Sequence, residues 1–212
     1  MKKGRKKVLI LMLTLAVSVL YCGCTQTKDI VRKVDTEKNS DDKEKSKEDI
    51  DIIEVNIDSK FITISGKSAE ELAENIKEGG DCLEVKQNED GTLTVEITEQ
   101  QQQEYWLPSR GELMEELQEQ LQEYDENYRL EHNDSYTQVD AYYNLDLPVD
   151  KAVVYVRYAE FLCASYQIFS GVDDDKWKVT INVYNSDTGK LVKTGDSDVD
   201  LEYDDSDWEA SK

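Results

Sequence analysis

His132 is the only histidine in the 212 residues, so any His-dependent chemistry rests on it alone. It lies in Glu131-His132-Asn133-Asp134, which reads as a polar surface loop. A Ser-His-Asp triad places its serine on a tight strand-to-helix turn, and no G-x-S-x-G run occurs. A catalytic role for His132 is therefore not expected. Two carboxylates flanking a scissile bond can hydrolyse a glycoside. Residues 52–212 hold 38 acids, however, so some pair at that spacing arises by chance. No catalytic residue is assigned, and the chain is read as non-enzymatic.

Asp196, Asp198, Asp200 and Glu202 alternate, and Asp204, Asp205 and Asp207 follow. Oxygen ligands in series can hold Ca²⁺. The EF-hand pattern fails because Leu201 stands where the turning glycine belongs. Runs of like charge usually stay solvated. Residues 197–212 thus read as an acidic C-terminal tail, and Asp173-Asp174-Asp175 as a loop. No metal or cofactor is expected. Cys82 and Cys163 could pair outside a cell. Cys163 sits between Leu162 and Ala164 in an apolar segment, where free thiols are common, so two separate thiols are expected. Among twelve Tyr and three Trp, Trp177 and Tyr166 read as core. Tyr124, Tyr128, Tyr136 and Tyr142 stay open as recognition residues.

The charge is unevenly spread. Residues 1–7 carry Lys2, Lys3, Arg5, Lys6 and Lys7; 25–51 are nearly balanced; 52–212 carry 13 basic and 38 acidic residues, net −25. The whole chain is −22, which argues against nucleic acid as a partner because phosphate contacts need clustered Lys and Arg. After the basic run, Val8–Tyr21 is a 14-residue apolar stretch. A spanning helix needs about 20, so this is a signal h-region. It ends Leu20-Tyr21-Cys22-Gly23-Cys24, which resembles the lipobox of bacterial lipoproteins. That resemblance implies lipid on a Cys thiol and cleavage just before it. Gly23 supplies the small preceding residue for Cys24, and Cys22 is the runner-up. Two or more acyl chains anchor stably, at about 0.8 kcal/mol per buried CH₂. Residues 24–51 read as a disordered charged tether, since sparse apolar residues cannot offset ordering entropy.

Residues 52–196 read as a single α+β domain. Ile53, Val55 and Ile57 alternate as a strand, and Phe61–Gly66 continues extended or as a loop. Ser68-Ala69-Glu70-Glu71 is a capping box opening a helix to about Glu78. Val85 and Leu93 flank Asp90-Gly91, a hairpin signal. Thr98 caps a helix that Pro108 interrupts, and Ser109–Glu112 reads as a fresh cap. Leu113, Leu117, Leu121 and Tyr124 form its core stripe. Val139, Ala141, Tyr143 and Leu145 suggest a strand, and Val149–Ser170 a buried helix. Trp177–Val183 and Lys190–Thr194 form a second hairpin across Asn185–Gly189. The expected order is β-α-β-β-α-β-α-β-β, an antiparallel sheet built from hairpins with helices on one face.

Asn88–Thr94 followed by a Glu/Gln-rich helix, and Tyr166–Gly171 followed by Tyr184–Gly189, resemble a family of small Gram-positive-type bacterial lipoproteins without an assigned activity. The resemblance covers about residues 52–196. It implies an extracytoplasmic, lipid-anchored protein and transfers no catalytic residue. The expected molecule has a signal peptide over 1–23 and palmitate or similar lipid on Cys24. It sits on the outer face of the cell membrane as a surface binding domain. Basic proteins, wall polymer or a divalent cation are the expected partners. The alternatives are a Ca²⁺-responsive domain and a carboxylate-dependent glycan hydrolase.

Overall fold

The computed structural model describes residues 51–199 and 201–212. The signal segment, Cys22, Cys24, the tether up to residue 50 and Asp200 lie outside the described residues. One compact unit runs from Ile50 to Lys212. It is α+β, but its strands form two sheets rather than the one antiparallel sheet expected.

The first sheet has the order β1 (Ile52–Ile57), β3 (Leu93–Thr98), β2 (Glu84–Gln87), all antiparallel. Alternation sends Val55, Ile57, Leu93, Val95 and Ile97 into the core. Gly91, at φ +85°, turns the β2–β3 hairpin as the Asp-Gly pair predicts. Phe61–Gly66 is not extended: Ser59–Ile64 forms helix α1. Asp58 caps it by accepting the Phe61 N–H at 2.7 Å, which lets Phe61 and Ile62 turn inward together. Helix α2 (Ala69–Gly79) carries the predicted capping box between Ser68 and Glu71 and stops at Gly80, φ +77°.

Thr98 caps α3 (Glu99–Gln101), but Pro108 does not interrupt the helical segment beyond it. The helix widens into a π-turn over Gln102–Trp106 and runs on as α4 (Leu107–Gln122). Leu107 N–H reaches back to the Gln102 carbonyl, five residues away. The wider turn falls where the proline lacks its donor, so the helix bends around the gap instead of ending. Ser109 is no cap; its hydroxyl donates to Trp106 O. The π-turn also rotates the apolar stripe. Met114, Leu117 and Leu121 are buried, Leu113 is only partly so, and Tyr124 is half exposed.

The second sheet has the order β4 (Arg129–His132), β5 (Gln138–Tyr143), β6 (Thr180–Asn185), β7 (Leu191–Asp196). Its β5–β6 pair is parallel. The 21-residue helix α5 (Val149–Phe169) supplies the crossover a parallel pair needs. It packs against β5 and also touches α1, α4 and β1, so it is shared by both sheets. Val156, Ala159, Leu162, Cys163 and Phe169 are buried on it. Glu160, fully buried among them, is ion-paired to Arg157 at 2.8 Å. The strand expected at Trp177 begins only at Thr180, and β5 ends at Tyr143, leaving Leu145 exposed.

The expected solvated tail is folded. Helix α6 (Asp205–Ala210) is capped by Asp204 and buries Trp208 against Tyr143 and Tyr203. One large indole among the acids gives the segment apolar area to bury, and the carboxylates stay on its outer side.

Candidate functional site

β5 and β6 run side by side and end together, Tyr143 opposite Asn185. Each closes on an Asn-x-Asp sequence. Asn144 Oδ1 accepts the Asp146 N–H at 3.0 Å, and Asn185 Oδ1 accepts the Asp187 N–H at 2.9 Å. These are two Asx turns, in which the short amide side chain imitates a backbone carbonyl. They are joined, because Asn144 Nδ2 donates to Asp187 Oδ1 at 3.0 Å. The Tyr128 hydroxyl donates to Asn144 Oδ1. The C-terminal segment closes the third side. Thr188 Oγ1 donates to Ser211 O at 2.6 Å, and Asn185 Nδ2 to Ser211 Oγ at 3.1 Å.

Together they line a cleft of about 270 Å³, with Leu145, Asp146, Asp187 and Thr188 on two sides and Trp208 and Lys212 on the third. Trp208 is only 4 % exposed; its indole N–H donates to no protein group among the described residues and is not sealed from solvent. The field is negative. Burial and then the charges of Asp125, Asp146 and Asp187 push the Tyr128 phenol above its ordinary value.

The outer face of the second sheet continues from this end. Arg129, Tyr142 and Tyr184 lie in register across β4, β5 and β6. The Arg129 guanidinium stands 3.7 Å over the Tyr142 ring, whose other side stacks on Tyr184 at 4.7 Å. Tyr142 is therefore sandwiched, and the row offers edges and hydroxyls rather than open ring faces. The next row holds Asp140, which accepts from Asn182 at 2.7 Å and from Gln138 at 3.0 Å.

The residues singled out in the sequence fall elsewhere. Cys24 lies outside the described residues. His132 ends β4 rather than sitting in a loop and stacks on Tyr136 at 4.2 Å, with its Nδ1 3.1 Å from Asn133 O. Cys82 and Cys163 are both free. Burial, and then Glu160, pushes the Cys163 thiol up to about 12. Asp196 and Asp198 are held by Lys178 and Lys60 at 2.8–3.0 Å, and Asp204 is occupied as a helix cap. Among the described residues, no group of three or more His, Cys, Asp or Glu is placed to hold a metal ion. The cleft residues are hidden in the sequence pattern because Leu145 continues the alternation of a strand and Asn185–Gly189 reads as an ordinary hairpin turn, which masks the two sequences Asn144-Leu145-Asp146 and Asn185-Ser186-Asp187. Their repetition at the ends of two strands was the available signal.

Comparison with family models, curated proteins and solved structures finds no match to this chain.

Proposed function

We propose that the chain is a membrane-anchored extracytoplasmic lipoprotein whose folded body is a non-enzymatic binding module. The anchoring half rests on residues 1–24: a basic head, a 14-residue apolar stretch and Gly23-Cys24. The binding half is carried by one observation, the cleft at the ends of β5 and β6. There two pre-joined Asx turns and a buried indole converge with unspent hydrogen-bonding capacity. Binding is stronger where polar groups are held in place before the ligand arrives.

Metabolic labelling with an alkyne fatty acid tests the anchor. The full chain takes up label and stays with membranes; Cys24→Ala takes up none and is released. Label retained in Cys24→Ala and lost in Cys22→Ala would move the site. The binding half is tested by retention of extracted cell-surface material on the full chain. Asp146→Asn/Asp187→Asn is expected to lose at least tenfold, whereas equal retention excludes the cleft.

Asp146 and Asp187 also share this cleft, which is the observation favouring the second reading, a carboxylate-dependent glycan hydrolase. Release of new reducing ends from cell-wall glycan by wild type but not by Asp187→Asn would establish it.

A further inference from the structure

We infer that the cleft takes a neutral sugar unit of an extracellular glycan, an inference that rests on the binding reading above. The size sets the first limit. About 270 Å³ is just below the roughly 300–1,000 Å³ of sites for drug-sized ligands. One ring fits, and a folded peptide segment does not.

The hydrogen-bonding groups set the second. Buried Trp N–H groups usually find an acceptor. Trp106 donates to Asp81 O and Trp177 to Asp58 Oδ1, whereas Trp208 has no such acceptor among the described residues. The Trp208 N–H is not sealed from solvent as a partnerless donor would be, so in the cleft that Trp208 lines it is free to donate to a ligand oxygen. Asp146 and Asp187 accept only, so they ask for ligand donors. A hydroxyl group gives and receives at once, and a ring bearing several meets both demands. An ammonium ion would satisfy the two carboxylates and leave the indole N–H facing a positive charge. A phosphate or carboxylate would satisfy the indole and meet like charge from Asp146 and Asp187. Lys212 does not reverse this, since its ammonium is tied to Glu209.

Preorganisation supports the same assignment. Asn144 is fixed between the Tyr128 hydroxyl and Asp187, and Asp187 is fixed by Asn144 and by its own N–H to Asn185. Planar amide and carboxylate groups held this way discriminate hydroxyl direction, which is how a site reads a sugar. Beyond the cleft, the edges and hydroxyls of Tyr142 and Tyr184 lie at the same end of the sheet. A neighbouring sugar in the chain would meet them next.

The test uses the full chain in detergent, labelled with 5-fluorotryptophan. Its three Trp give three fluorine resonances, assigned by single Trp→Phe changes. Maltotriose, cellotriose and chitotriose are titrated, with spermidine as the cationic probe. At least one trisaccharide is expected to shift the Trp208 signal saturably while Trp106 and Trp177 stay still. Asp187→Asn, which preserves an oxygen for Asn144, is expected to weaken that binding at least tenfold without moving the melting temperature. A shift by spermidine alone overturns the sugar assignment and leaves the binding module standing. No shift by any probe, with surface material still retained, overturns the sugar assignment and moves binding to another face. No shift and no retention sinks both.

Discussion

One carboxylate oxygen, Asp58 Oδ1, accepts from Phe61 N–H at 2.7 Å and from the indole Nε1 of Trp177 at 3.3 Å, 119 residues further along. The first bond starts α1, and the second ties that helix to the segment leading into β6. Trp177 is fully buried, meets Phe61 edge-on at 6.1 Å, and carries the Lys60 ammonium 3.8 Å over its ring. Local helix capping and long-range docking thus share an atom.

Removing that atom should therefore cost both. A lost N-cap costs about 0.5–2 kcal/mol, and a stranded indole N–H about 1–3 kcal/mol. Asp58→Ala is expected to lose about 2–3 kcal/mol in urea unfolding, and Asp58→Asn less than half of that. Equal losses for the two would show that charge, not the shared acceptor, holds the joint.

Lys178 should matter only over a defined pH window. Its bonds, first to Asp196 and then to Asp198, raise its own pKa; Asp196 is lowered chiefly by Lys178, and Asp198 chiefly by Lys60 and then Lys178. A lowered carboxylate adds stability that is complete above the unfolded value, about 4, and is lost as pH falls through the lowered one. A raised lysine adds stability below its unfolded value, about 10.4, and loses it as pH rises further. The difference in melting temperature between wild type and Lys178→Met is expected to be flat from about pH 5 to 9. It should close below about pH 4 and shrink in about 1 M salt. Because these groups are exposed, the difference is small. A gap that persists at about pH 2 would disprove the charge account.

Arg110 is the part-buried cation to remove. Its Nε is sealed from solvent without a partner, and no carboxylate pairs with it among the described residues. Desolvation lowers its pKa, against smaller opposing effects of Tyr105 and Tyr158. The compensation is the Trp106 ring at 5.0 Å, worth about 1–2 kcal/mol. Burying a charge without a paired partner costs several kcal/mol. Arg110→Met is expected to raise stability by about 1 kcal/mol in urea; a loss above about 1 kcal/mol would show that the ring contact wins.

Cys163 should resist thiol reagents in the folded protein, because its buried thiol ionises only near about 12 and only the thiolate reacts. Mass spectrometry should find it alkylated at about pH 8 only after unfolding. A two-dalton rise on reduction that maps to Cys82 and Cys163 would contradict their being free.

Trp208→Ala should destabilise the whole domain. A buried Trp→Ala change costs about 3–5 kcal/mol, whereas a change in a solvated tail costs nothing. Calorimetry of the full chain decides between the two.

Features that depend on a few adjacent residues were legible in the sequence. Ser68 with Glu71, Asp90 with Gly91, and the apolar run from Val149 to Phe169 act through neighbours within a turn or two, so their types alone dictate the α2 cap, the β2–β3 hairpin and α5. The α+β class comes from them. Other features depend on partners far along the chain. Asp58 as a cap needs Trp177 to complete it. The helix passes Pro108 because the π-turn lets Gln102 reach Phe169 O and Trp106 stack on the Phe169 ring at 3.9 Å. The parallel β5–β6 pair exists because α5 returns the chain in the same direction. Trp208 outweighs its acidic neighbours because Tyr143, far earlier in the chain, gives it somewhere to be buried. The cleft arises where all three meet: two ordinary turns and one indole become a site only when long-range packing closes them around a common space.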